Sequence, residues 1–392
     1  MTADFLSGNK IELLESGGQF FPALIAAIDA AAREVHLETY IFADDVTGRA
    51  VVTALAAAAQ RGVAVRVLVD GFGAREFVPG LGQVLIAGGA SVEIYRAELP
   101  QLKLRRHRLR RLHRKLAVID GHVAFVGGIN IIDDSDVGDT PNLGPRFDYA
   151  VRIAGPLVTQ VHASVRHLWR LVGWAKLQRR PPGSPATPRA QDAPAGTMTA
   201  GFLIRDNLRH RRDIEDAYLT AITNAKNDIV LASAYFLPGR RFRRALLGAA
   251  ARGVRVTVLL QGQVEYALLH YATQALYRVL LAGGIRIFEY HVGFLHAKVG
   301  VIDGQWATVG SSNIDPFSLL LAREANVVVQ DAGFAAELSA SLQRAINGSA
   351  REIVHAELAR SSLPARALRW LAYSMVRLLV GFTRYGGSDY RE

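Results

Sequence analysis

The pattern His-x-Lys-x-x-x-x-Asp occurs twice in this chain, once in each half. The first copy is His113, Lys115 and Asp120 in LHRKLAVID, and the second is His296, Lys298 and Asp303 in LHAKVGVID. Lysine is scarce, six residues in 392, yet two of the six occupy the same slot after a histidine. On a strand, residues i and i+2 point to one face, so each copy presents an imidazole beside an ammonium. The aspartate follows on a turn, before Gly121 or Gly304, and an apolar stretch then leads to GGIN (127–130) or GSSN (310–313). Small residues there let backbone N–H groups approach an anion, and the asparagine amide adds a donor.

The repeat extends beyond the motifs. In the first half a helical pattern at 20–34 precedes a β-rich run at 35–42, a second helix and a Val-dense strand at 61–71. In the second half a helical IEDAYLTAITNAK precedes a strand at 228–236 and another at 251–262, and AGGASVEIY (87–95) is echoed by AGGIRIFEY (282–290). Alternating strands and helices predict an α/β fold with a largely parallel or mixed sheet in each half. The boundaries are a first domain at 1–178, a Pro/Ala-rich linker at 179–200, a second domain at 201–350 and an amphipathic C-terminal segment at 351–392. An irregular insert at 133–145 has no counterpart in the second half.

Two such half-sites facing each other across a pseudo-two-fold axis suit phosphodiester transfer. One imidazole attacks phosphorus, and the other protonates the departing alkoxide and then deprotonates the incoming alcohol. His113, Lys115, Asp120, His296, Lys298 and Asp303 are the candidate catalytic residues. Asn130, Asn313 and Ser311 are the candidates for binding the phosphate. Each imidazole needs a carboxylate behind its other nitrogen. Asp148 in RFDYAVRI and Glu324 in REANVVV each open a β-rich run downstream of their motif, so they are the candidate orienting acids. The lysines hold the charge-neutralising role a metal would otherwise take, and no metal or cofactor is expected.

The repeated HxKxxxxD, followed some twelve residues later by G(G/S)xN, resembles the phospholipase D superfamily over roughly residues 10–345. ETYIF, YFLPGRRFRRAL, RGVRVTVLLQG and VGSSNIDPFSLLLAREANVVV are similar to bacterial cardiolipin synthases of the type lacking N-terminal transmembrane helices. The resemblance implies two tandem, internally duplicated domains, each a mixed β-sheet flanked by helices, with the active site at their pseudo-two-fold interface. It implies metal-free transfer of a phosphatidyl group through a phosphohistidine onto the hydroxyl of another lipid, commonly phosphatidylglycerol. It also tilts the nucleophile's role towards His113, leaving His296 as the acid/base. The alternative is a phospholipase D-type phosphodiesterase or nuclease that hydrolyses phospholipid or nucleic acid.

The formal net charge is +11, and residues 103–115 carry eight Lys/Arg directly before the first motif. Such a charge attracts anionic lipid and nucleic acid alike. The segment at 365–386 helps choose between them. Leu368, Leu371, Met375, Leu378, Leu379 and Phe382 recur at helical spacing, with Arg366, Arg369, Arg377 and Arg384 interspersed. This reads as a helix lying in a membrane interface. Anionic phospholipids (phosphatidylglycerol and cardiolipin) and a membrane surface are the expected partners, with nucleic acid disfavoured. No cysteine, no signal-peptide pattern and no apolar run of spanning length is present, so a protein that meets a membrane would lie on it, and the resemblance implies the cytoplasmic face of a bacterial inner membrane.

Overall fold

The computed structural model describes residues 4–96, 110–136, 143–175, 193–206, 209–316, 318, 322–360 and 362–382. The first half runs β1 (Leu6–Glu15), α1 (Ser16–Asp29), β2 (Glu34–Thr39), α2 (Val46–Gln60), β3 (Ala64–Asp70), α3 (Leu81–Ala87) and β4 (Ser91–Tyr95). It continues through β5 (Lys115–Ile119), β6 (Val123–Gly127), β7 (Gly144–Phe147), β8 (Tyr149–Ala154) and α4 (Leu157–Ala175). The second half runs β9 (Met198–Arg205), α5 (Asp213–Asn224), β10 (Asp228–Ser233), α6 (Arg240–Ala251), β11 (Arg255–Gln261), α7 (Ala267–Ala282) and β12 (Arg286–Tyr290). It continues through β13 (Gly293–Leu295), β14 (Lys298–Ile302), β15 (Trp306–Gly310), β16 (Glu324–Gln330) and α8 (Ala332–Ser349). A short strand β17 (Ala350–Ile353) and helices α9 (His355–Ala359) and α10 (Leu363–Phe382) follow.

The duplicated mixed-sheet plan is therefore present, and it has a feature the repeat does not announce. The sheets of the two halves join edge to edge through antiparallel β1 and β9. They form one 15-stranded sheet in the order β17-β12-β11-β10-β14-β15-β16-β9-β1-β8-β6-β5-β2-β3-β4. Outward from the joint the two series match, with β8, β6, β5, β2, β3 and β4 on one side and β16, β15, β14, β10, β11 and β12 on the other. In each series the three outer strands are parallel to one another and the inner ones antiparallel. A second, two-stranded sheet pairs β7 with β13 across the halves.

Sequence accounts for the local pieces. The Asp45 carboxylate caps α2 by accepting the Gly48 N–H at 2.7 Å, and Asp331 caps α8 through Phe334 N–H at 2.9 Å. The central strands read as near-continuous apolar runs because helices cover them. One core draws on both halves. Tyr149, Leu157 and Val161 join Phe334, Leu338 and Leu342 in it, and the Tyr149 hydroxyl lies 2.7 Å from Ser341 Oγ. Buried side chains in that shared core hold the two half-sites at a fixed separation.

Two boundaries move. The linker's last residues are already sheet, since β9 starts at Met198, and the C-terminal segment's first residues form β17 on the edge of β12. The rest of the linker up to residue 192, residues 103–109 of the basic run, residues 137–142 of the insert and residues beyond 382 lie outside the described residues.

Candidate active site

Neither motif histidine sits on its strand. Each occupies the two-residue approach to it, because β5 and β14 begin at the lysines. Each approach is tied to the opposite half. His113 N–H donates to Arg323 C=O at 3.0 Å, and His296 N–H donates to Phe147 C=O at 2.8 Å. The residue after each of those carbonyls is the carboxylate. Glu324 places Oε1 and Oε2 at 3.0 and 3.1 Å from His113 Nδ1, and Asp148 places Oδ2 at 2.6 Å from His296 Nδ1. Asp148 and Glu324 thus occupy the orienting position, but crosswise: each imidazole is held by an acid from the other half.

A carboxylate only accepts, so His113 carries its proton on Nδ1 and keeps Nε2 as a lone pair, whereas Lys298 Nζ lies 2.7 Å from His296 Nδ1 and can only donate, which leaves that imidazole's proton on Nε2. His113 and His296 side chains are 17% and 16% exposed, and both line one cavity of about 280 Å³ at the junction of the halves. Burial holds His113 below the ordinary histidine value, with Glu324 opposing. Burial, then Lys298, Lys115 and His113, hold His296 well below it. Neutral imidazoles are the form a phosphorus-directed nucleophile requires.

The lysines lie beneath the imidazoles, Lys115 5% and Lys298 1% exposed. Lys115 Nζ donates to His113 C=O at 2.6 Å, and Lys298 Nζ donates to His296 C=O. Burial, reinforced by Lys298, pulls the Lys115 ammonium down to about 7. An entering phosphodiester is a stronger acceptor for these ammonium groups than a peptide carbonyl. Burial pushes the Asp148 carboxyl up to about 6, against the nearby lysines.

Asn130 and Asn313 both line the cavity. Asn130 Oδ1 accepts Ile41 N–H at 3.1 Å and Asn313 Oδ1 accepts Tyr235 N–H at 3.4 Å. With the oxygen engaged, the NH₂ of Asn130 is the end left to meet an anion, while that of Asn313 already donates to Ser318 Oγ at 3.4 Å and has its second hydrogen to offer. Ser311 is different. It is fully buried, does not line the cavity, and its hydroxyl donates to Glu324 Oε2 at 2.5 Å. Its expected phosphate contact is corrected to support of Glu324. Its counterpart Gly128 has no side chain because Asp148 occupies the space: a Cβ there would lie 2.4 Å from Asp148 Oδ1.

Asp120 and Asp303 also require correction. Neither lines the cavity. Each stands at the far end of a five-residue strand, roughly 17 Å from the lysine at about 3.3 Å per residue. Asp120 accepts Ala32, Arg33 and Glu34 N–H, each at 2.8 Å, and Asp303 accepts Lys226, Asn227 and Asp228 N–H at 2.8, 2.7 and 3.0 Å. Both sit in the left-handed region at φ of 53° and 52°, which aspartate tolerates better than most residues. The third motif position therefore staples the motif strand to its neighbour, β2 or β10, and takes no part in the chemistry directly.

The cavity also holds residues the motifs do not flag. Tyr40 packs edge-on against the His113 ring at 5.1 Å, and Tyr235 donates its hydroxyl to Glu265 at 2.5 Å. Arg111 and Arg146 add positive charge to the walls. The two tyrosines fall within ETYIF and SAYF, which follow equivalent strands, so their strand-end position was the available signal.

Among the described residues one buried cluster has side chains of metal-ligating type, Glu34 and His36 of β2 with His162 of α4. Arg66 Nη1 lies 2.9 Å from Glu34 and 3.2 Å from His36 Nε2, so a guanidinium already occupies the cationic position.

Known proteins resemble the chain in sequence and in fold. A family model described as cardiolipin synthase, PLD-like domain, matches residues 24–169 and 218–346. The chain is 37% identical over 363 residues to cardiolipin synthase B of Escherichia coli (strain K12), covering 90% of this chain and 84% of that protein. It is 31% identical over 338 residues to cardiolipin synthase A of Cronobacter sakazakii, covering 85% of this chain and 68% of that protein. Among solved structures it is similar in fold to phosphatidylserine synthase of Haemophilus influenzae Rd KW20, with a TM-score of 0.70 at 15% identity over 96% of both chains.

Proposed function

Because the chain belongs to the phospholipase D-like cardiolipin synthase family, we propose that it is a phosphatidyltransferase making cardiolipin. A phosphatidyl group leaves one phospholipid and passes to a hydroxyl of phosphatidylglycerol. The observation that carries this reading is the pair of neutral, Nδ1-anchored imidazoles at one cavity. In the first step His113 Nε2 bonds to phosphorus as the P–O bond to the departing glycerol breaks, and His296 Nε2 gives that oxygen its proton while Nδ1 takes one from protonated Asp148. In the second, the acceptor hydroxyl gives its proton to His296, its oxygen bonds to phosphorus, and the P–N bond breaks.

Two asymmetries support this order. Glu324, fixed by the Ser311 hydroxyl, accepts from His113 with both oxygens and is well placed to stabilise a cationic phosphohistidine. Asp148, pushed up to about 6, makes with His296 a pair able to exchange a proton near neutrality. Lys115, Lys298, Asn130 and Asn313 surround the phosphoryl oxygens with donors, a contribution usually larger than proton transfer alone.

We also assign the protein a peripheral position on the cytoplasmic face of a bacterial inner membrane. No helix among the described residues is long and apolar enough to cross a membrane. On α10, Ala372 and Val376 are buried against α7, while Leu371, Met375, Leu378 and Leu379 are exposed. Those exposed residues form the face that would enter the interface.

The test is incubation of purified protein with labelled phosphatidylglycerol vesicles and, separately, single-stranded DNA, followed by acid-free trapping of the enzyme adduct. Cardiolipin, glycerol and a phosphoryl group on His113 are expected. Cleavage of DNA without a lipid product would overturn the reading, and an adduct on His296 would reverse the order of the histidines alone.

A further inference from the structure

A groove of about 870 Å³ lies between α7, α9 and α10, separate from the catalytic cavity. Arg278, Arg366 and Arg369 supply positive charge, and no acidic side chain lines it among the described residues. The catalytic cavity, by contrast, mixes its arginines with Asp134, Asp148, Glu265 and Asp315. Arg369 is set in place by donating from Nε to Gln274 Oε1 at 3.0 Å. Leu358, Leu363 and Trp370 line the same groove, with Leu363 76% and Trp370 65% exposed. Cationic and apolar side chains therefore share one concave surface, and the exposed apolar face of α10 continues from it.

We infer that this groove is a second lipid site, which takes one anionic phospholipid of the bilayer without reacting it. The headgroup phosphodiester lies on the arginines, and an acyl chain lies along Leu358, Leu363 and Trp370. Guanidinium groups suit bidentate contact with phosphate oxygens. The apolar wall distinguishes a lipid from a free phosphate or a nucleic-acid backbone, neither of which has an alkyl chain to place there. The position gives the site a purpose. Tyr266 and Leu269, at the start of α7, line the catalytic cavity, while Gln274, Ala275 and Arg278 line the groove. At 1.5 Å per residue the two sets are separated by about one and a half to three helical turns, roughly 8–18 Å. A lipid held in the groove seats the mouth of the cavity on the bilayer from which substrate must enter.

This inference rests on the phospholipid reading of the cavity, and the experiment separates the two. Arg278→Gln and Arg366→Gln are combined. Both side chains are exposed, so the fold is retained and checked by an unchanged Tm. Binding is measured on phosphatidylcholine vesicles with and without phosphatidylglycerol, with inorganic phosphate and single-stranded DNA as competitors. Each basic side chain near an anionic bilayer contributes about fivefold to binding, so the pair should weaken phosphatidylglycerol-dependent binding by about 30-fold. Turnover of a short-chain phosphatidylglycerol kept monomeric should not change, while KM on vesicles rises and kcat stays. The corresponding double substitution to Lys should restore most of the binding. Unchanged vesicle affinity, equal loss on pure phosphatidylcholine, or displacement by millimolar phosphate or by DNA would each overturn the inference. Wild-type protein inactive on every phospholipid would instead overturn the assignment of the cavity, and the vesicle-binding comparison would still decide the groove.

Discussion

At the scale of single residues, the site contains charges that burial disfavours. Lys115 has its ammonium pulled down to about 7, below the ordinary lysine value. The unfolded chain therefore binds more protons than the native one between pH 7 and the unfolded value, and stability rises with pH across that window. Lys115→Met should remove this dependence and raise Tm at neutral pH while abolishing transfer; thermal melts from pH 6 to 10 check it. The pH–rate profile follows from the same groups. Below its lowered value His113 is protonated and cannot attack. On the other limb the His296–Asp148 pair loses its proton above about 6, and Lys115 loses its charge through about 7. The kcat/KM of wild-type protein should be bell-shaped, and a flat profile from pH 5 to 9 would contradict these assignments. Between His113 and Lys115, Arg114 faces the other way, paired with buried Glu38 at 2.5 and 2.9 Å. Breaking a buried pair of this kind costs about 3–5 kcal/mol, so Arg114→Ala should unfold at much lower denaturant concentration. Legibility differs residue by residue. His113, Lys115, His296 and Lys298 could be read because chemistry fixes both type and spacing. Asp120 and Asp303 could not be separated from them, since a staple and a catalytic acid look alike in a one-dimensional pattern. Ser311 misled for a similar reason: a small hydroxyl near an anion site reads as a ligand, yet its partner is a carboxylate thirteen positions away.

At the scale of elements, the duplicated helices and strands were legible from periodicity, and the staples show how they are aligned. Asp120→Ala leaves three backbone N–H groups at the start of β2 without their acceptor. The loss is comparable to that of a helix cap, about 1–2 kcal/mol, and the corresponding Asp303→Ala should cost about the same. Both should lower Tm more than they lower kcat at a temperature where the protein is folded. The C-terminal helix, read from sequence as a membrane face, also packs on the core, and its sides divide the roles. Val376 is fully buried and Leu378 is 63% exposed. Truncation at residue 365 would thus uncover core on α7. The sharper test is Leu371→Gln, Met375→Gln and Leu378→Gln together, which keeps the buried stripe. Vesicle co-sedimentation should fall on the order of tenfold or more, from lost apolar insertion, with Tm unchanged; equal binding would place membrane attachment elsewhere.

At the scale of the whole molecule, the joint between β1 and β9 was the part least legible in sequence. Nothing in LSGNKIELLE or MTAGFLIR marks one edge strand as the partner of the other, because edge pairing is set by shape and burial far along the chain. The crosswise carboxylates were hidden for the same reason: Asp148 and Glu324 each lie downstream of the motif in their own half but serve the other. Charge neutralisation by fixed lysines leads to one further expectation. Prolonged dialysis against EDTA should leave turnover unchanged, and loss restored by one divalent ion would contradict the assignment of the lysines. The crosswise arrangement also bears on ancestry. A forebear comprising one half alone would own a histidine and a carboxylate that could not meet each other within one chain. It could have turned over only as two identical molecules lending each other their acids. Fusing the two genes then freed each copy to diverge. A glycine could settle where its twin kept a serine, as at Gly128 and Ser311, and one catalytic centre could become a donor side and an acceptor side.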